Sequence, residues 1–507
     1  MTADGGSSAV TAVADDVLDS VLDARARRVA PASIVAVCER GEVRGVHTYG
    51  HPRGDDGSTT RDTVFRIASM SKSFLAATVL ALRDRGLLDL QAPITEYVPD
   101  VRARYRGDSA VLTGELLLSN RSGLGEDNAW VDRHLGATRE DIAAVFAEGV
   151  LLAAAPGTTY QYSNLGQSLL GRAVEVVTGR AVEDVVRDTL IVPLGLHRTA
   201  HAPDPYRAED LAGGFRTFDD GATFLPEPFV GSGALGCIGS MFSTVDDIAT
   251  WMWFLGSAFT DGPLAPEVLA PASRREMQQP RTPIPVPSAM FDGRDLAGAG
   301  YGYGLFVEED RRFGRVVQHS GGLPGFSAHM RWHAATGTGV VAFGNSDEFA
   351  ARRVAGAALQ AVLERTEAPS AVVHPWTETV RAAQAIDAAM LDGLSAAEYP
   401  FLAEHVLQDV PAKVRDARLA AQQAEVGGVR AHQPPFAERV VTAANEAELR
   451  WRIRGERADL RVEVRLVGIA APLVQSVSVV VVGSGERLTA DELPAAADHH
   501  RVVLPTR

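Results

Sequence analysis

Two groups of strand patterns lie at opposite ends of one region of the chain, with a mostly helical stretch between them. The early group is SIVAVCERGEVRGVHTYG (33–50), which is typical of two strands joined at Arg40-Gly41. The late group spans 301–345, where YGYGLFVEE, RVVQHSGG, SAHMRWHA and TGVVAFGN follow one another with short turns, as in an antiparallel meander. Because both groups can share one sheet, we predict an α/β architecture with an antiparallel sheet flanked by helices and a helical second lobe.

The domain boundaries follow from changes in composition and periodicity. We expect residues 1–10 to be disordered and residues 11–366 to form the main domain. The segment EAPSAVVHPW (367–376) is predicted to be a linker, and 377–507 a C-terminal α+β accessory domain. In that domain the patterns predict helices over 377–424. They then predict half-exposed strands at LRWRIRG and DLRVEVRLV and a more buried strand at VQSVSVVVVG.

Composition excludes several classes of function. The 507 residues carry a net charge of −15, which disfavours binding to nucleic acid or to an anionic membrane surface. The only cysteines are Cys38 and Cys237, and the histidines lack metal spacing, so neither a metal site nor a cofactor is expected. The N-terminus has no signal-peptide pattern, and no apolar run is long enough to span a bilayer. We therefore expect a cytoplasmic protein, whose oligomeric state the sequence does not indicate.

Lysine is rare in this chain, which makes its positions informative. Lysine occurs only at Lys72 and Lys413, although lysine and arginine together number 49. Lys72 follows Ser69 by three residues at a predicted strand-to-helix junction, so both side chains lie on one helix face. A buried lysine can lose its proton and activate a serine hydroxyl, which arginine cannot do. The backbone N–H of Ser69 can also help to hold an oxyanion. The competing interpretation is a helix-capping serine beside a solvated lysine.

Two further motifs carry groups suited to the same chemistry. In YQYSNLG, Tyr162 can relay a proton and Asn164 can orient a substrate carbonyl or the lysine. In HSGG, His319 can contact the substrate, and the two glycines Gly321 and Gly322 allow a ligand to approach the strand closely. The N–H of Gly322 is a candidate second oxyanion donor. Taken singly, these motifs are also compatible with a surface turn and with a β-bulge.

In this order and spacing, the three motifs resemble those of the serine β-lactamase-related hydrolases: class C β-lactamases, DD-peptidases, D-aminopeptidases and β-lactamase-fold esterases. The resemblance covers about residues 15–365. It extends to the flanking stretches FRIASMSKSF, APGTTYQYSNLGQSLLG, PLGLHRT, GSMFSTVDDIATW and QHSGGLPGF. It implies the two-lobed fold of that family. It further implies the following roles: nucleophile for Ser69, base for Lys72, proton relay for Tyr162, substrate-orienting amide for Asn164, and third-triplet positions for His319 and Gly321.

The third triplet departs from the form found in true β-lactamases. His319 stands where those enzymes and many cell-wall peptidases have lysine, and the H-x-G form is similar to that of esterases, amidases and D-aminopeptidases. The resemblance therefore favours a serine hydrolase of a small-molecule ester or amide over a β-lactamase or a DD-carboxypeptidase. Two alternatives stay open. One is an acyltransferase of secondary metabolism that passes the acyl group to an amine or alcohol. The other is a non-catalytic protein on a penicillin-binding scaffold.

Overall fold

The chain divides into two compact units in the computed structural model, which describes residues 8–54, 57–286, 291, 294–483 and 499–505. One unit consists of Met1–Asp310 and Arg315–Ala368, and the other of Arg311–Gly314 and Pro369–Arg507. Each unit has its own apolar core. The first helix begins at Ala9, inside the range expected to be disordered, and residues 1–7 lie outside the described residues.

The first unit combines helices with a large sheet and several short strand pairs. Its helices, in chain order, are α1 (Ala9–Val21), α2 (Ala24–Arg28), α3 (Ser71–Asp84), α4 (Gly114–Leu118), α5 (Asn128–His134), α6 (Arg139–Glu148), α7 (Asn164–Thr178), α8 (Val182–Val186), α9 (Val245–Gly256), α10 (Pro271–Met277) and α11 (Ala351–Arg365). Its strands are β1 (Ala32–Glu39), β2 (Glu42–Gly50), β3 (Phe65–Arg66), β4 (Ala103–Tyr105), β5 (Asp108–Ser109), β6 (Val150–Leu151), β7 (Phe215–Arg216), β8 (Leu225–Pro226), β9 (Phe242–Ser243), β10 (Thr282–Pro283), β11 (Leu296–Tyr301), β12 (Phe306–Asp310), β13 (Gly314–Leu323), β14 (Phe326–His333) and β15 (Thr338–Gly344).

The large sheet joins the two ends of the first unit, as the sequence predicts. Its strand order is β10-β11-β12-β13-β14-β15-β1-β2, and β1 pairs antiparallel with both β15 and β2. The turn between β1 and β2 falls at Arg40 and Gly41, whose φ angles of 50° and 86° are typical of a tight hairpin turn. The strands β10 and β11, which the sequence patterns did not predict, extend the opposite edge.

Helix α3 is central to the first unit because it is buried on all sides. Residues 71–82 of this helix are all buried, so its apolar residues cover the full circumference rather than one stripe. Phe74 stacks on Trp251 of α9 with ring centroids 3.9 Å apart. The indole N–H of Trp251 donates to the Ser73 hydroxyl at 3.0 Å, which satisfies a buried polar group. The start of α3 is therefore held in one position.

The second unit is a small α+β assembly. Its helices are α12 (Thr377–Leu391), α13 (His405–Asp409), α14 (Ala412–Glu425) and α15 (Phe436–Arg439). Its strands are β16 (Ala371–Val373), β17 (Val440–Thr442), β18 (Glu448–Arg454), β19 (Asp459–Val467), β20 (Leu473–Val482) and β21 (His500–Val502). The range 367–376, predicted to be a linker, contains β16, which pairs parallel with β21. Within the described ranges, every helix is too short or too polar to cross a bilayer.

The exposure of the C-terminal strands is the reverse of what their patterns predicted. Strand β18 is almost wholly buried, because Arg450 is neutralised by Glu448 and Glu463 at 2.7 Å each. Strand β20 is the more exposed one, because it lies at an edge of the sheet β17-β18-β19-β20. The prediction for these strands was therefore wrong in burial and correct in strand position.

Candidate active site

Ser69 lies on a single turn of 3₁₀ helix between β3 and α3. The turn spans Ala68–Met70, so Ser69 precedes the first turn of α3 instead of belonging to it. Ala68 has a φ of 48°, a left-handed conformation that side chains rarely adopt. The N–H of Ile67 donates to the Met241 carbonyl at 2.9 Å, which fixes the chain just before the turn. Residues in such sparsely populated backbone conformations cluster at functional sites.

Lys72 is fully buried and directed at Ser69. Its Nζ lies 2.8 Å from the Ser69 Oγ and donates to the Ile238 carbonyl at 3.1 Å. The neighbouring serine has a different role, since the Ser71 hydroxyl donates to the Ala68 carbonyl at 2.6 Å and is fully buried. Of the serines in this motif, Ser69 is the one that reaches a cavity.

Burial sets the charge balance around Lys72. Loss of solvation lowers the pKa of Lys72 to about 7, opposed by the negative charges of Asp132 and Asp127. Burial also raises the pKa of Asp132 to about 6, opposed by Lys72. These two groups therefore titrate close to neutral pH and influence each other. Neither aspartate belongs to a motif that is recognisable in the sequence.

Tyr162 lies against both members of the pair. The Lys72 ammonium is 5.1 Å from the centre of the Tyr162 ring, a cation–π distance. Burial raises the pKa of the Tyr162 phenol well above its ordinary value, while its hydrogen bond with Ser69 acts in the opposite direction. The ring is stacked on Phe306 at 6.4 Å and lies edge-on to Tyr301 at 6.2 Å. Tyr162 is thus a neutral, well-positioned phenol beside the serine.

His319 is buried as a neutral ring with a defined tautomer. Its Nδ1 lies 2.6 Å from the Ser320 carbonyl, which can only accept, so Nδ1 carries the proton. The Tyr301 hydroxyl then donates to Nε2 at 3.2 Å. Burial, together with the charge of Lys72, lowers the pKa of His319 to about 3. His319 therefore carries no positive charge at the position where true β-lactamases have a lysine.

The two glycines after His319 differ in their surroundings. A Cβ on Gly321 would lie 2.1 Å from the Ile67 carbonyl oxygen, so this residue lets β13 pack against the turn that carries Ser69. A Cβ on Gly322 would meet nothing within 4 Å, and Gly322 lines the cavity. Gly321 is thus a close-packing position and Gly322 borders the cavity, and the predicted roles of both residues toward substrate stay predictions.

Asn164 is held by hydrogen bonds beside the cavity-lining Asn128, and its role as a substrate-orienting amide stays a prediction. Its amide donates to Asp127 at 3.0 Å and to Asn128 at 2.7 Å, and its side chain is buried outside the cavity lining. Asp127 accepts from the backbone N–H groups of Asn164 and Leu165, which satisfies the first turn of α7. Asn164 therefore fixes Asp127 and Asn128 by hydrogen bonds, and Asn128 is one of the amide side chains that line the cavity.

A cavity of about 520 Å³ opens at the predicted residues. Its lining comprises Ser69, Glu126, Asn128, Asp132, Tyr160, Gln161, Tyr162, Phe306, Gln318, His319, Ser320, Gly322 and Arg352. Residues of three motifs that are far apart in the sequence thus line one cavity. The residues contributed by α5, β12 and α11 were missed, because nothing in their local sequence links them to the serine. Across the described ranges, no group of three or more histidine, cysteine, aspartate or glutamate residues is arranged to hold a metal ion.

Residues 18–364 match the model of the Beta-lactamase family, which is more than half of the 507-residue chain. The chain therefore belongs to the beta-lactamase family, which confirms the family that the sequence predicted. Among curated relatives, esterase EstB of Burkholderia gladioli is 27% identical over 361 residues, covering 62% of this chain and 85% of the esterase. For two curated penicillin-binding proteins, the chain spans only 64% and 45% of their length.

Solved structures place the fold in the same group. The octameric penicillin-binding protein homologue from Pyrococcus abyssi matches with a TM-score of 0.59 at 18% identity, covering 92% of this chain and 99% of its own. EstCE1, described as a hydrolase with promiscuous acyltransferase activity, matches with a TM-score of 0.57 at 20% identity, covering 70% of this chain and 98% of its own. These matches confirm the predicted fold class.

Proposed function

We propose that this protein is a serine hydrolase that cleaves an ester or amide through an acyl-enzyme on Ser69. The observation that carries the proposal is the 2.8 Å separation between the Lys72 Nζ and the Ser69 Oγ beside a cavity. Burial lowers the pKa of Lys72 to about 7, so a large fraction of this lysine is a neutral amine near neutral pH. A neutral amine at this distance can accept the hydroxyl proton.

The proposed reaction uses four groups of the cavity. The Ser69 Oγ bonds to the substrate carbonyl carbon while its proton moves to the Lys72 Nζ. The carbonyl oxygen becomes an oxyanion, which the backbone N–H groups of Ser69 and Gly322 stabilise. Lys72 then returns this proton through the Tyr162 phenol, which protonates the leaving oxygen or nitrogen as its bond to carbon breaks, so Lys72 is neutral again. Water attacks the acyl-enzyme and loses a proton to Lys72. Lys72 gives that proton to the Ser69 Oγ as the acyl bond breaks, which releases the acid and free Ser69.

The neutral state of His319 favours esters and amides over β-lactams. His319 is neutral, since its pKa is lowered to about 3, and it supplies no cation for a β-lactam carboxylate on that wall. Of the relatives reported above, EstB is called an esterase, whereas two others are called penicillin-binding proteins. We also keep the prediction that the protein acts in the cytoplasm on a small molecule.

Acyl transfer is the second candidate, favoured by one observation. The similar structure EstCE1 is described as a hydrolase that also has acyltransferase activity. The same acyl-enzyme would then be captured by an amine or alcohol instead of water. Product analysis by mass spectrometry, with and without added amines and alcohols, separates the two outcomes.

The test of the nucleophile compares two neighbouring serines. Wild-type protein and the Ser71→Ala variant should gain the mass of one fluorophosphonate adduct and turn over p-nitrophenyl esters. Ser69→Ala should do neither, because only the Oγ is lost. Ser71→Ala controls for disturbance of the turn, since Ser71 is bonded to the Ala68 carbonyl. An adduct on Ser69→Ala would assign the chemistry to another residue. Efficient penicillin hydrolysis without esterase activity would overturn the substrate class.

A further inference from the structure

A second cavity, of about 300 Å³, adjoins the first and contains an arginine that forms no ion pair with any residue that the structure describes. It is lined mainly by apolar and backbone groups, and Asp132 borders both cavities. The two cavities are also joined along the chain, since Gly322 lines the first and Leu323 and Pro324 line the second. The second cavity therefore lies next to the cavity that contains Ser69.

Arg66 is the cation of this second cavity. It lies on β3, three residues before Ser69, and is only 5% exposed. Its Nε and Nη2 are buried without a hydrogen-bond partner among the described residues. Burial lowers the pKa of Arg66 to about 10, with no carboxylate acting against it. A buried guanidinium without an ion pair is unfavourable, and binding of an anion would offset that cost.

The aromatic neighbours of Arg66 hold the guanidinium without using its donors. Its Cζ lies 5.1 Å from the ring centre of Phe229 and 5.6 Å from that of Phe242. Such contacts engage the flat faces of the group and leave its N–H edges for an acceptor. The other carboxylate in the lining, Glu227, is already paired with Arg133 and lies within 4.0 Å of Arg216.

We propose that the Arg66 cavity binds a carboxylate at the far end of the substrate acyl group. The walls suit an apolar chain, since Leu135, Leu323 and Phe326 are buried there. One cation suits a monoanion such as a carboxylate. The acyl end is favoured because Tyr162, the proposed proton relay to the leaving group, lines the first cavity and not the second. The assignment to the acyl end rests on the proposed function.

The kinetic test compares matched esters. Wild-type protein should have a higher kcat/KM for mono-p-nitrophenyl adipate than for the ester whose terminal carboxylate is replaced by a carboxamide. Arg66→Gln should lower that ratio by about 10- to 100-fold, as expected for a charge-assisted hydrogen bond. Arg66→Lys should retain part of the preference. Arg61→Gln, an exposed arginine paired with Asp246, should keep the wild-type ratio.

Several outcomes would overturn the proposal. Equal wild-type kcat/KM for the two esters would do so without any variant, as would an unchanged ratio in folded Arg66→Gln. A preference that depends on Arg66 only when the carboxylate is on the phenol would move the site to the leaving group and contradict the assignment to the acyl end.

A binding experiment separates this proposal from the proposed function. Calorimetric titration of Ser69→Ala with monomethyl adipate should show tighter binding than with dimethyl adipate. The double variant Ser69→Ala/Arg66→Gln should lose that difference. These measurements do not need Ser69 as the nucleophile, so they report on the anion site even if another residue carries the chemistry. Equal binding of the two adipates would rule out the site itself.

Discussion

At the scale of single residues, the candidate site depends on burial of one amine. Lys72 is completely enclosed, and the desolvation of its charged form outweighs the opposing charges of Asp132 and Asp127. Arginine could not replace it, because a guanidinium keeps its proton even when buried. In a chain that otherwise uses arginine almost throughout, lysine at this position thus has a chemical reason.

Activity should follow the protonation of Lys72. Below its pKa of about 7 the amine is protonated and cannot accept the Ser69 proton, so kcat/KM should fall as pH falls and level off above about pH 8. Lys72→Arg should lower kcat/KM by about 10²- to 10⁴-fold. Lys413→Arg, which changes the other lysine of the chain, is the matched control and should keep the wild-type profile. Near wild-type rates in Lys72→Arg would show that Lys72 contributes only charge.

Site residues that belong to one short motif could be predicted from the sequence. Site residues that come together only through tertiary contacts could not. Ser69 and Lys72 are three residues apart, so local geometry alone brings them together. Asp132 reaches the same cavity from α5, with no fixed spacing to the serine. The motif of Asn164 likewise does not show that Asp127 accepts a hydrogen bond from its amide. The acidic residues between 126 and 132 could have been noted in the sequence as candidate site residues. Their contacts with Lys72 and Asn164, however, arise only from the fold.

At the scale of elements, the position of the serine turn depends on the approach of β13. The Ile67 carbonyl would lie 2.1 Å from a Cβ at position 321, so glycine there lets the strand pack against the turn. The same strand carries His319 and Gly322 to the cavity. A displacement of β13 would therefore separate the candidate oxyanion donors from each other.

Gly321→Ala should destabilise the protein and slow its labelling. The added methyl group cannot be accommodated without moving backbone, and overpacking of this kind costs about 1–3 kcal/mol. Thermal unfolding should show a lower Tm, and the rate of fluorophosphonate labelling should fall. For Gly322→Ala, the added Cβ enters open space, so its Tm should match that of the wild type. Equal Tm values for the two variants would show that β13 does not press on the turn.

The positions of strands and turns were predicted better than the burial of the strands and their places in the sheets. The hairpin at Arg40-Gly41 and the late meander were found because turn residues and period-two patterns are local properties. The burial of β18 was missed because charged side chains normally indicate solvent exposure, whereas Arg450 and Glu448 neutralise each other inside the second unit. Strand β20 lies at an edge of its sheet. The place of a strand in a sheet depends on which other strands pair with it, and the sequence of that strand alone does not show this.

At the scale of the whole molecule, each of the two units has an apolar core that can support independent folding. The family match ends at residue 364, just before the second unit resumes at Pro369. The core of the second unit includes Val380, Trp451 and Val462, and all of its members lie between 373 and 504. About 130 residues can support an independent core. The domain boundaries stay a prediction, which truncation can test.

A chain ending at Ala368 should fold and retain the proposed nucleophile. It keeps α3, the whole large sheet and the cavity lining, and it loses only the core of residues 373–504. Its most affected part should be the turn at Arg311–Gly314, which groups with the second unit and precedes most of β13. We therefore expect a somewhat lower Tm, with fluorophosphonate labelling still on Ser69 by peptide mass spectrometry. The separate chain 369–507 is the complementary control and should unfold cooperatively, with buried Trp451 as its fluorescent reporter. An insoluble or unlabelled 1–368 chain would show that the second unit is required for the fold that presents Ser69.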